Sequence, residues 1–176
     1  MLKNSIWLFV VFLAVWAGGM DWRFRRIPNW LTLPGLVLGL VVNTLAEGWP
    51  GVKASLSGAG LGLAILLPFV LLRALGGGDW KLMGALGAFL GPERLITVLI
   101  GSMLVAGVMA LILIVYKGRV RQSLRNMARM LGSLLILRLP GAEVSLDNPE
   151  SAKVPFGVAV AITVVLLGVE RVFLSN

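Results

Sequence analysis

The chain of 176 residues contains no cysteine and no histidine. The first absence excludes disulfides, thiolate-bound zinc and thiol nucleophiles. The second removes the Ser-His-Asp triad and imidazole-ligated metal centres. Charge is also scarce: only 14% of residues are Asp, Glu, Lys or Arg, against about 25% in a soluble domain. The acids number eight: Asp21, Glu47, Asp79, Glu93, Glu143, Asp147, Glu150 and Glu170. Any acid–base catalyst must come from this short inventory. None of it forms a cluster that suggests a metal, and neither a metal nor a cofactor is expected.

What the chain has instead is apolar length. Hydrophobic residues make up 58% of it, in continuous rather than alternating runs. Continuous runs of this kind mark helices that cross a bilayer, where every backbone polar group must be satisfied internally. The expected fold is all-α: a polytopic membrane helix bundle of about six transmembrane helices plus a cytoplasmic amphipathic segment, in one integral-membrane domain spanning 1–176. The spans are expected at about 4–20, 30–46, 54–75, 80–92, 95–116 and 154–174. The stretch Trp49-Pro50-Gly51 reads as a turn. Pro68 is a site for a kink, Gly76-Gly77-Gly78 breaks the third helix, and Gly91-Pro92 ends a short, Gly/Ala-rich fourth span that is buried in protein. Residues 1–20 read as a retained helix rather than a cleaved signal, because Arg23, Arg25 and Arg26 follow directly and oppose translocation.

The net charge is +8, which in a soluble domain points to nucleic acid. In a chain of spans it points to topology, and no nucleic-acid partner is expected. With six spans, twelve of the sixteen Lys and Arg residues fall on one side, leaving Lys3, Lys53, Arg94 and Arg171 on the other. The cytoplasm takes the basic side. Both termini then lie outside, and the loops carrying Asp21 and Asp79 face the cytoplasm. The basic loop 117–153 falls on the same side. Arg121, Arg125 and Arg129 recur on one face of its first half, opposite Val120, Leu124, Met127 and Leu131. This is the pattern of a helix lying on anionic lipid.

Asp21 ends the first span and Asp79 begins the fourth. A carboxylate at a bilayer edge is costly to bury and is a functional candidate. Two such groups brought together cannot both ionise easily, so they share a proton, and one serves as base while the other serves as acid. A pair of this kind activates water without metal, thiol or imidazole. Pro28 and Asn29 form a fixed turn before the second span, with Asn29 as its expected cap. The glycines before Asp79 allow another backbone to approach it. Each feature also has a plain structural reading, since Pro-Asn starts helices and Gly runs end them. Three function classes stay open on these residues: a membrane aspartic peptidase, a proton-coupled transporter or channel, and a non-catalytic assembly subunit of a pilus or secretion machine.

The segments Asp21-Trp-Arg-Phe-Arg-Arg-Ile27-Pro28-Asn29 and Gly76-Gly-Gly78-Asp79-Trp80-Lys81-Leu82 together resemble the two signature motifs of the type IV prepilin peptidase family. Lys153-Val-Pro155-Phe156-Gly157 is similar to the segment that opens its last helix, with Val158 where the family often has proline. The resemblance implies a peptidase of the bacterial cytoplasmic (inner) membrane. Its partners would be membrane lipids and a prepilin or pseudopilin precursor, whose basic leader is removed on the cytoplasmic side. Asp21 and Asp79 would be the catalytic dyad, with Ile27, Pro28, Asn29, Gly76, Gly78, Lys81, Pro155 and Gly157 shaping the site. Asp21 follows the first span without an intervening Cys-bearing segment. That resembles the short, peptidase-only branch of Flp-type pilus systems, in which no N-methylation is expected. Glu143, Asp147 and Glu150 are expected to be solvated loop residues. A reporter fused within 117–153 should read as cytoplasmic; a periplasmic signal there contradicts the six-span arrangement.

Overall fold

In a computed structural model, residues 2–72, 74–116 and 154–174 are described. Arg73 and the whole stretch 117–153, which includes the expected amphipathic helix, Glu143, Asp147 and Glu150, lie outside the described residues. Among the described residues the fold is all-helical, with no strand. Five helices follow one another: α1 (Leu2–Phe24), α2 (Asn29–Glu47), α3 (Trp49–Leu71), α4 (Gly77–Tyr116) and α5 (Phe156–Leu174). Among the described residues four segments are long and apolar enough to cross a membrane: Ile6–Phe24, Asn29–Glu47, Trp49–Leu71 and Gly77–Leu113. Leu8, Phe12, Leu45, Leu104, Leu111 and Leu166 are each more than half exposed. An apolar outer surface of that extent is one that lipid covers.

Helix ends differ from the sequence expectation where glycine and proline admit two readings. Trp49-Pro50-Gly51 is the first turn of α3 rather than a loop, with proline in the position where its missing N–H costs nothing. The reversal is made by Gly48 alone, at φ 65°. Helix α3 ends at Leu71, before the glycine run, and the amides of Ala74 and Leu75 both donate to the Phe69 carbonyl in closing it. Gly77 and Gly78 then begin α4. Helix α1 continues past Met20 to Phe24, so Asp21 sits inside its last turns.

The 40 residues of α4 are not one rod, because Gly91 has φ 73° and ψ 175°, a conformation that side chains resist. A Cβ built on Gly62 of α3 would lie 2.9 Å from both the Met83 carbonyl oxygen and the Leu95 side chain. In a straight helix those two residues would stand about 18 Å apart. The chain therefore turns back at Gly91, and the stretches 77–90 and 92–116 diverge from that point along α3.

The reversal exposes a backbone problem that α2 and α3 solve. The Ala88 carbonyl would ordinarily accept from residue 92, but Pro92 has no N–H. Asn43 on α2 donates to the Ala88 carbonyl at 2.8 Å and to the Phe89 carbonyl at 3.0 Å. Ser55 on α3 donates to the same Ala88 oxygen at 2.7 Å and accepts from Asn43 at 3.0 Å. Both side chains are almost wholly buried. This polar knot ties three helices together at the break. Replacing Asn43 by Leu removes its donor from the Phe89 carbonyl and leaves the Ala88 carbonyl with Ser55 alone, and should lower unfolding free energy by roughly 1–3 kcal/mol. The change is measurable by denaturant titration in detergent, with Asn43→Gln as the partial rescue.

Candidate active site

Pairings along the helices show which ends meet. Asp21 of α1 reaches Gly157 at the start of α5, while Arg171 near the end of α5 lies over Trp7. Lys81 of α4 reaches Asn29 of α2, while the Gly39 level of α2 meets Ala88 and Phe89. One end of the bundle thus collects the C-terminal end of α1 and the N-terminal ends of α2, α4 and α5. Helix N-termini present unpaired N–H groups and partial positive charge. The two motif acids sit among them.

Asp21 is 6% exposed. Its Oδ2 accepts from the Gly157 backbone amide at 2.9 Å, and the next amide, of Val158, also reaches the carboxyl. The closeness depends on glycine: a Cβ at position 157 would come within 2.9 Å of the Asp21 Cβ and 3.0 Å of the Ile27 side chain. Buried Pro155 precedes this contact and starts α5, its carbonyl accepting from Val158 and Ala159. Arg25 closes α1 in the left-handed region at φ 54°, its amide donating to the Asp21 carbonyl. Its charge bears on the Asp21 carboxyl. Arg25, expected to act only on topology, is therefore part of the site.

Asp79 lies in the first turn of α4. Its carboxyl turns back to the Gly76 amide, and a Cβ on Gly76 would sit 2.9 Å from its Oδ2. Its Oδ1 is buried without a hydrogen-bond partner among the described residues. The carboxyls of Asp21 and Asp79 are near enough for the charge of one to act on the other. Ile27 is wedged between their supports. Gly78 packs on its backbone, where a Cβ would meet the Ile27 carbonyl at 2.9 Å, and Gly157 packs on its side chain.

The remaining motif residues join the two loops. Pro28, not Asn29, occupies the N-cap position of α2, and no side chain caps it. Asn29 is exposed and instead accepts from the Lys81 ammonium at 2.9 Å. Lys81 therefore ties the second motif to the first. Trp80, between Asp79 and Lys81, donates its indole N–H to the Leu63 carbonyl at 2.7 Å and locks α4 to α3. Thr32, a turn into α2, is a buried residue that sequence reasoning passed over; its hydroxyl has no partner among the described residues. Its only sequence signal is a polar side chain at the i+3 position from Asn29. No group of His, Cys, Asp or Glu that could hold a metal is found among the described residues.

The geometry can be compared with known proteins. The type IV leader peptidase family matches residues 6–111, a stretch that contains both acids and ends before Gly157. A prepilin leader peptidase/N-methyltransferase of Xanthomonas campestris pv. campestris is 34% identical over 110 residues, covering 58% of this chain and 38% of that protein. Proteins of the same description from Neisseria gonorrhoeae and Dickeya chrysanthemi are 36% and 37% identical, covering 57% and 53% of this chain and 37% and 35% of theirs. The chain thus spans less than two-fifths of the length of these curated relatives. No solved structure matches it.

Close packing at Gly157 sets an expectation. Gly157→Ala forces Asp21 or Ile27 to move and should cost roughly 1–3 kcal/mol of stability, as overpacking does. Gly19, with nothing within 4 Å of its Cβ position, is the control. Gly19→Ala should be neutral or stabilising by about 0.4–1 kcal/mol, as read by thermal unfolding in detergent.

Proposed function

Because the chain belongs to the type IV leader peptidase family, we propose that it is a membrane aspartic endopeptidase that removes the basic leader of a prepilin or pseudopilin precursor. The observation that supports the reading is that Asp21 and Asp79, from helices far apart in sequence, lie at one end of the bundle, where Gly157 and Gly78 pack on the same Ile27 and the charge of Asp21 acts on Asp79. A proton relay across the membrane would instead distribute its acids along the path.

The dyad holds one proton between its two carboxyls. The ionised carboxyl takes a proton from a water molecule as the water oxygen attacks the scissile carbonyl carbon. The protonated carboxyl gives its proton to the carbonyl oxygen. The tetrahedral diol then collapses: the C–N bond breaks, the leaving nitrogen receives the proton gained by the base, and the diol returns the other. The two carboxyls end with one proton, as they began. The pair titrates as a unit, so acid and base are roles of the dyad. Gly157 orients Asp21 through its amide. Ile27 and Gly78 set the spacing, and the Lys81–Asn29 bond holds the two motif loops in register.

Topology extends the proposal. The turn at Gly91 makes 77–90 and 92–116 two separate passes, which with the other four helices gives six spans. Positive-inside charge then directs the dyad to the cytoplasm and both termini outward. The continuous passage from Asp21 to Pro28, with no inserted segment, supports peptidase activity without methyl transfer.

Co-expression with a candidate prepilin tests the proposal. Asp21→Asn and Asp79→Asn should each reduce leader removal by on the order of a thousandfold or more, while both variants insert into the membrane at wild-type levels. Cleavage that survives either change at a comparable rate means the dyad assignment is wrong.

A further inference from the structure

A hydroxyl inside a helix commonly bonds back to its own backbone. Thr44, Thr97, Ser102 and Thr163 do so, each donating to the carbonyl four residues earlier. Thr32 has the same option in the Pro28 carbonyl, which accepts the Leu31 and Thr32 amides instead. The Thr32 hydroxyl turns away from it and has no partner among the described residues, although the residue is only 1% exposed. A buried polar atom left in that state calls for a physical reason.

Helix register shows what it faces. The first run of α4 packs parallel to α2: Gly78 meets Ile27, Ala85 meets Gly35, and Ala88 and Phe89 meet Gly39. Interpolated between these contacts, Thr32 stands level with Leu82. Asp79 precedes Leu82 by one turn on the same face, about 4.5 Å nearer the site end. Gly35, one turn after Thr32 on the same face of α2, also touches Leu13 of α1. That face therefore looks into the space between α1 and α4. Asn29 and Lys81 meet on the exposed rim, and Thr32 and Asp79 lie inside it. Side chains on a helix lean toward its N-terminus, so Thr32 leans from below toward the two acids.

Asp79 presents the matching need. Its Oδ2 lies against Gly76, while its Oδ1 is buried with no partner among the described residues. A hydroxyl and a carboxyl oxygen, both buried and both unpartnered, thus face one interior within a helical turn. A single water satisfies both, because two polar partners are enough to hold a buried water and a hydroxyl can donate to it.

We propose that Thr32 is a positioning residue of the dyad, its hydroxyl holding a water molecule against the free Oδ1 of Asp79. Gly76 engages the other carboxyl oxygen, so Oδ1 is the one left for proton transfer, and the water fixes the plane of the carboxyl. Thr32 acts through Asp79 and touches no substrate. Its part in catalysis rests on the peptidase reading; the bridge itself does not.

The test uses the full chain purified in detergent with a prepilin substrate. Thr32→Val keeps the shape of the side chain and removes the hydroxyl. It should lower kcat on the order of tenfold, as the loss of one hydrogen-bonded support gives, and leave KM unchanged. Thr32→Ser should recover most of the loss, and Thr44→Val, whose hydroxyl is bonded to Leu40, should match the wild type. A double-mutant cycle on unfolding midpoints reads the bridge without any cleavage. Thr32→Val should shift the midpoint by a different amount in the Asp79→Ala chain than in the wild type, by about 2 °C or more. Additive shifts overturn the proposal, as does a Thr32→Val chain with wild-type kcat. A loss carried by KM, or one that serine does not recover, also overturns it by making Thr32 a packing residue. In a crystal of the full chain, one ordered water in reach of both atoms supports the bridge, and a direct Oγ1–Oδ1 bond contradicts it. A wild-type chain that cuts no prepilin but shows a coupled cycle removes the peptidase reading and leaves the bridge standing.

Discussion

A carboxylate can be buried at the edge of a membrane bundle only if the protein supplies the donors that water would have given. The Asp21–Gly157 hydrogen bond meets that demand, and the local structure follows from it. The donor is a backbone amide at the start of a helix, 136 residues away in sequence. It reaches the carboxyl because residue 157 has no side chain and because Pro155 starts α5 at the right level. Once α5 is fixed against α1, Ile27 is held between Gly157 and Gly78, and Gly78 carries Asp79 on the next position of α4. The supports of the two acids are joined by glycines that pack on Ile27 rather than by a shared loop.

The opposite end of the bundle is held by an analogous device with the polarity reversed. At the site, helix N-termini offer amides to carboxyl oxygens. At the Gly91 break, a helix offers carbonyls, and Asn43 and Ser55 supply the donors. Both arrangements satisfy backbone groups that lipid cannot, and both draw side chains from non-adjacent helices. The middle of the bundle between them is apolar and tightly packed, with Leu82, Met83, Leu86, Leu95 and Val98 fully buried. A packed middle with polar contacts at each end joins the candidate site to the Gly91 break.

Several elements were legible in the sequence because the physics that sets them is local. Long apolar runs gave the helices, Gly91-Pro92 marked the chain reversal, and the motif spacing singled out both acids. The errors came from residues whose local preference is ambiguous. Trp49-Pro50-Gly51 suits a turn or a helix start, and Gly76-Gly77-Gly78 can end one helix or begin another; packing against α2 and Ile27 decided both. Contacts set by helix register were not readable at all. Asn43 in a run of apolar residues gives no hint that its partners are carbonyls 45 and 46 residues on. Asn29 looked like a cap until its distance from Lys81 was known. The role of Arg25 was hidden because three neighbouring arginines already had a sufficient explanation in topology.

The account rests on Asp21 and Asp79 meeting in the membrane, and the absence of cysteine permits a direct test. Asp21→Cys and Asp79→Cys introduced together give a chain with only those two thiols. The membranes are treated with a short thiol–thiol cross-linker, the chain is cut proteolytically between α1 and α4, and the fragments are separated under denaturing conditions. The account predicts that the fragments stay joined, and that a control pairing Asp21→Cys with a cysteine at Ser57, at the opposite end, leaves them free. Fragments that separate in the Asp21→Cys, Asp79→Cys protein, with both thiols accessible to a monofunctional reagent, contradict it.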